Sequence, residues 1–86
     1  MQFEGVVLKE QGVTFAIVIV KPHVLNSSIE CENARRSFTP AFPGVPIILM
    51  AQDSRGVPTY QGRPDIVRFL AKVPTSRIPW KRYNYA

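Results

Sequence analysis

The chain has 86 residues, 45% hydrophobic and 20% charged, with one cysteine, one histidine and a net charge of +5. At this length it forms one domain with a thin core, burying roughly 60–65% of the surface its unfolded form exposes; the apolar content excludes disorder, and a lone cysteine excludes an internal disulfide. The longest apolar run, Val13 to Val20, is far short of the about 18–20 residues of a membrane span. No basic-then-apolar leader opens the chain, so a cytoplasmic location is expected.

In chain order, Phe3 to Leu8 predicts a strand, and Lys9-Glu10-Gln11-Gly12 a polar turn that returns it as a hairpin. Val13 to Lys21 is apolar on both faces, Phe15, Ile17 and Ile19 against Ala16, Val18 and Val20. That pattern predicts an interior strand covered on each side, ended by Pro22, which has no amide hydrogen for a ladder. Ser27-Ser28-Ile29-Glu30 reads as a capping box. A helix over 28–38 follows, with Cys31, Ala34 and Phe38 on its buried face and Glu32, Arg35 and Arg36 facing water.

After a Pro43-Gly44 turn, Val45 to Gln52 predicts a second apolar strand. Asp53-Ser54-Arg55-Gly56 turns the chain, and Val57 to Gln61 predicts a short edge strand carrying Pro58. Pro64 and Asp65 suit the first turn of a second helix, whose buried stripe is Ile66, Phe69, Leu70 and Val73 and which Pro74 ends. The domain is thus expected over 1–74, with 75–86 as an irregular C-terminal tail.

The order of these elements, together with Val45-Pro46-Ile47-Ile48-Leu49-Met50, the following turn and strand, and a helix opened near Gly62, resembles the C-terminal half of thioredoxin-like proteins. The resemblance covers about residues 13–73. It implies a β-β-α-β-β-α fold of the α/β class, a central mixed sheet with two helices. It also implies that Pro46 is a cis-proline candidate, offering the backbone of Gly44 and Val45 to an extended peptide. The family's two-cysteine redox motif is missing: the matching stretch is His23-Val24-Leu25-Asn26-Ser27-Ser28. Thiol–disulfide exchange needs a thiolate and a resolving thiol, so that chemistry is not expected.

No other constellation for catalysis appears. Cys31 reads as a packing residue, although a helix N-terminus would activate a thiol there. His23 could serve as a base toward Cys31, Ser27 or Ser28, but no orienting group or oxyanion donors accompany it. The carboxylates are scattered, with Asp53, Asp65, Glu30 and Glu32 in turns and caps, so no metal site is expected. No glycine-rich phosphate loop is present. The expectation is a protein that is not an enzyme and uses no cofactor.

Charge is unevenly distributed. The excess lies in residues 63–86, which carry Arg63, Arg68, Lys72, Arg77, Lys81 and Arg82 against Asp65 alone. Within them, Trp80, Tyr83 and Tyr85 interleave with Arg77, Lys81 and Arg82. Three readings of this segment stand. Its rings fold back over the core; or it binds a protein partner or a second copy, since Trp, Tyr and Arg dominate such contacts; or it binds nucleic acid, rings stacking on bases and cations meeting phosphates. The leading expectation is a non-catalytic domain that binds protein or self-associates, with a small nucleic-acid binder as the alternative.

Overall fold

A computed structural model describes residues 2–84. Its elements are β1 (Gln2–Glu10), β2 (Val13–Ile19), α1 (Ser28–Phe38), β3 (Ile47–Gln52), β4 (Pro58–Gln61), α2 (Pro64–Leu70) and β5 (Lys81–Asn84), with single 3-10 turns at Pro22–Asn26 and Thr75–Arg77. The five strands form one mixed sheet in the order β4-β3-β2-β1-β5. Only β2 and β3 run parallel, joined through α1; every other pairing is antiparallel. The protein is therefore an α/β domain of one five-stranded sheet and two helices.

The apolar pattern of β2 explains its place. Phe15, Ala16, Ile17 and Val18 are all buried, because the two sets of alternating side chains meet different layers. Ala16 and Val18 pack with Phe3, Cys31, Phe38, Phe42, Ile47 and Leu49 under α1. Phe15 and Ile17 pack with Val6, Ile48, Met50, Ile66, Leu70 and Ile78 under α2. The β1–β2 hairpin closes with Glu10 opposite Val13. Both turn residues, Gln11 and Gly12, take positive φ (52° and 79°), the two-residue turn whose twist matches the strands it joins.

The Ser27 side chain accepts from the Glu30 amide at 3.3 Å and starts α1, a cap of the kind that stabilises a helix by about 1 kcal/mol. In β1, Gly5 lies opposite both Val18 and Lys81. A β-carbon there would sit 2.6 Å from the Ile17 carbonyl oxygen, so this crossing of three strands admits only glycine without a backbone shift.

Three expectations need correction. Pro46 is trans, as is every described peptide bond: its carbonyl accepts from Ala16 N at 2.9 Å, so the chain enters the parallel β2–β3 ladder already extended. The segment after residue 74 is not wholly irregular, since Lys81–Asn84 forms β5, held by an antiparallel ladder to the start of β1 and by Phe3 under Tyr83. Arg35 does not face water. Its side chain crosses to the sheet, with Nε donating to the Ile47 carbonyl at 3.0 Å and Nη2 to the Gln61 carbonyl at 3.2 Å and to the Gln61 side-chain oxygen.

Candidate functional site

The residues singled out near the C-terminus separate onto different surfaces. Trp80 is half-buried against the α2-side core, and its Nε1 donates to the Thr75 carbonyl at 3.1 Å. Tyr83 lies on the opposite face, its ring stacked on Phe3 (centroids 5.1 Å, planes 11° apart) and edge-on to Phe42 at 5.2 Å. Ring pairs of this kind add about 0.5–1.5 kcal/mol each beyond their area. These two rings are thus engaged with their own core. Arg82 stands opposite Glu4 in the ladder and pairs with it at 3.8 Å. Arg77 and Lys81 are exposed and, with Arg68 and Lys72, have no carboxylate partner among the described residues. Tyr85 lies outside the described residues.

The reactive residue types stay apart. Cys31 is buried with Sγ 3.4 Å from the Val24 carbonyl oxygen that it bonds, a site suited to packing. His23 is exposed in the first 3-10 turn and makes no hydrogen bond to Cys31, Ser27 or Ser28. Among the described residues no three of His, Cys, Asp and Glu cluster as metal ligands, and no helix is long and apolar enough to cross a membrane. Asp53 is occupied as a turn acceptor, taking the amides of Arg55 and Val57 at 2.8 and 2.9 Å. Asp65 holds Arg63 at 2.8 Å; that hydrogen bond keeps its carboxyl below the usual carboxylate range.

A hollow of about 530 Å³ is lined by Gln2, Phe3, Glu4, Ile19, Gln52 and Arg82. Its only charged groups are the Glu4–Arg82 pair. Its other polar side chains are the amides of Gln2 and Gln52. A second hollow, about 340 Å³, surrounds Arg35 and Gln61, and there the guanidinium already serves protein acceptors.

Part of β1, an interior strand, is paired on one side only. This strand is nine residues long, and β2 pairs it from Gly5 to Glu10. On its other side β5 pairs only Gln2 to Gly5. No other backbone hydrogen bond reaches Val6 to Glu10 among the described residues. The gap has a local cause. Pro79 offers no amide hydrogen, and Trp80 N turns back to the Ile78 carbonyl at 2.9 Å, so the chain cannot join the ladder before Lys81. The result is a five-residue slot along an otherwise paired strand. Beside it Val7 is 45% exposed, one of three large apolar side chains left open to solvent among the described residues. Sequence reading missed this slot, though Pro79 marks where β5 must begin.

Comparison with known proteins finds no matching family model, no matching curated protein and no matching solved structure.

Proposed function

We propose that the protein is a non-catalytic binding domain that takes up an extended protein segment along the open half of β1. The observation that carries this reading is the unpaired outer edge of Val6–Glu10, bounded at one end by β5 and flanked by exposed Val7. Strand addition at a sheet edge supplies affinity through main-chain hydrogen bonds and specificity through alternate side chains, and it needs no catalytic group. The likeness to thioredoxin-like proteins remains one of element order, and no functional residue is carried over from it.

Selection of extended peptides on the full chain, followed by amide chemical-shift mapping, tests the reading. Bound peptides should shift the amides of Val6–Glu10 more than those of β4. Peptides that map elsewhere, or amides at 6–10 that face away from β2 yet exchange as slowly as the β2 interior in the isolated monomer, would overturn it.

A second reading rests on the uncompensated cations Arg68, Lys72, Arg77 and Lys81: nucleic acid bound by the basic C-terminal third. It requires retention on an immobilised polyanion that falls steeply as salt rises, since phosphate contacts release counterions. Retention indifferent to salt would remove it.

A further inference from the structure

We propose that a cleft between the β1–β2 turn and α2 binds a nucleotide, with the base among Val13, Phe15 and Phe69 and the phosphate on Arg68 and Lys72. This rests on the nucleic-acid reading above and names where that contact is made. The cleft consists of two adjoining hollows. The inner one, about 110 Å³, is lined by Glu10 and by apolar Val13, Phe15 and Ile66. The outer one, about 420 Å³, is lined by Arg68, Ala71 and Lys72. Gln11, Asp65 and Phe69 line both, so they stand between the two.

The chemistry of the cleft runs in one direction. At its outer end Arg68 and Lys72 are exposed and have no carboxylate partner among the described residues. The one carboxylate on their hollow, Asp65, is taken up by two nitrogens of Arg63 at 2.8 and 2.9 Å. The outer end is therefore positive and suits a phosphate, whose oxygens accept charge-assisted hydrogen bonds from Arg and Lys. Between the hollows the half-buried ring of Phe69 offers a stacking partner to a base. At the inner end Glu10 has no ion pair within the chain, and a carboxylate accepts from the exocyclic amine of cytosine. Cations, ring and amine acceptor thus follow in the order in which a nucleotide presents its phosphate, its base and the amine on that base.

The placement also divides the basic C-terminal third. Tyr83 packs in the α1-side cluster, and Lys81, two residues before it in β5, points to the same face. Phe69 packs in the α2-side cluster. Arg68 and Lys72 therefore carry this contact and Lys81 does not. The outer hollow alone lies within the range of small-ligand sites, about 300–1,000 Å³. A base stacked on a protein ring must be free of a duplex, so the ligand is a nucleotide in an unpaired strand or in solution.

Amide chemical-shift titration of the full chain with cytidylate, uridylate and inorganic phosphate tests this, up to about 10 mM because a site of two cations and one ring is weak. Cytidylate should shift the amides of Gln11, Val13, Phe69 and Lys72 and leave those of Lys81 and β4 in place. Phe69→Leu keeps an apolar side chain and should raise Kd about fivefold or more through lost stacking. Arg68→Gln with Lys72→Gln should raise it about tenfold and flatten its dependence on salt; both residues are exposed, so this loss is not one of folding. Uridylate, which has no exocyclic amine, should bind about fivefold more weakly than cytidylate, and Glu10→Ala should erase that difference. Inorganic phosphate that shifts the same amides with equal affinity overturns the proposal, as does cytidylate binding that neither Phe69→Leu nor the double change weakens. A short oligocytidylate that binds more tightly than cytidylate identifies a strand as the source. Equal affinity identifies the free nucleotide, which removes the nucleic-acid reading and leaves the cleft. Retention on a polyanion that survives the double change and falls with Arg77→Gln and Lys81→Gln removes the cleft and leaves that reading. Retention indifferent to salt, with no shifts from cytidylate, removes both.

Discussion

The β4 edge of the sheet and the far half of β1 are each paired on one side only among the described residues, but different residues line them. Pro58 begins β4 without an amide hydrogen, Arg35 reaches across from α1 to the Gln61 carbonyl, and the Asp53 side chain gathers the amides of the preceding turn. β5 is short and starts with Lys81 and Arg82, charge being a common protection of an edge. Val6 to Glu10 has only Lys9 and Glu10 at its far end, and Val7 and Leu8 lie between. The two edges thus differ in their side chains, and the β1 stretch, with Val7 exposed, is as long as an average strand.

The largest expected effect lies where β5 is fastened to β1. Phe3 is buried, touches Phe38 at 4.8 Å and Phe42 at 5.8 Å, and carries Tyr83 stacked above it. Phe3→Ala should cost about 3 kcal/mol by the usual range for a buried ring, read from urea unfolding. Amides of β5 should lose protection before those of β3. If β3 and β5 open together, β5 is not held by this ring and the asymmetry between the edges is smaller than described.

Next comes the guard on the opposite side. Arg35 has a side chain 21% exposed and donates to Ile47 and Gln61 while pairing with Glu32 at 2.8 Å. Arg35→Ala strands buried carbonyl groups and should cost about 2 kcal/mol. Arg35→Lys should recover little of it, because an ammonium cannot span acceptors that a planar guanidinium reaches together. Full recovery with lysine would reduce the contact to a simple charge effect.

Arg35 also shows where the sequence was and was not legible. Cys31, Ala34, Arg35 and Phe38 fall on one helical stripe, so the position of Arg35 at i+4 from Cys31 was available as a sign that it points inward. Its charge outweighed its spacing in that reading. The β2 interior position, the Ser27 cap and the edge placement of Pro58 were readable because each depends on residues close in the chain. The joining of β5 to β1 was not, since it pairs residues about eighty positions apart through four-residue strands with no apolar alternation of their own. The open slot follows from that pairing and so was hidden with it, Pro79 being its one local trace.

A smaller effect, of opposite sign, is expected within β4. Tyr60 has a buried hydroxyl with no hydrogen-bond partner among the described residues, and burial pushes its pKa up. Tyr60→Phe removes a polar atom whose desolvation is uncompensated and should stabilise the fold by up to about 1 kcal/mol. A loss of stability would mean that this hydroxyl finds a partner in solution, and the guarded edge would gain one more fastening.

The smallest effect concerns the start of α2, just past the guarded strand. Arg63 bonds Asp65 through two nitrogens, at 2.8 and 2.9 Å, on an exposed surface. That hydrogen bond, with the attraction of the guanidinium, holds the Asp65 carboxyl below its ordinary value against a desolvation that raises it. A carboxyl depressed in the folded state adds stability that is present above its unfolded pKa, about 3.9, and is lost as pH falls through the lower folded value. The melting temperature of Asp65→Asn should therefore lie slightly below that of the unaltered protein near neutral pH, and the difference should shrink as pH falls below about 3.9 and through the lower folded value. Salt should shrink the neutral-pH difference as well, because the pair is open to solvent. A difference that persisted unchanged at acid pH would belong to the side-chain amide and the helix start, leaving the ion pair with no share in protecting this end of the sheet.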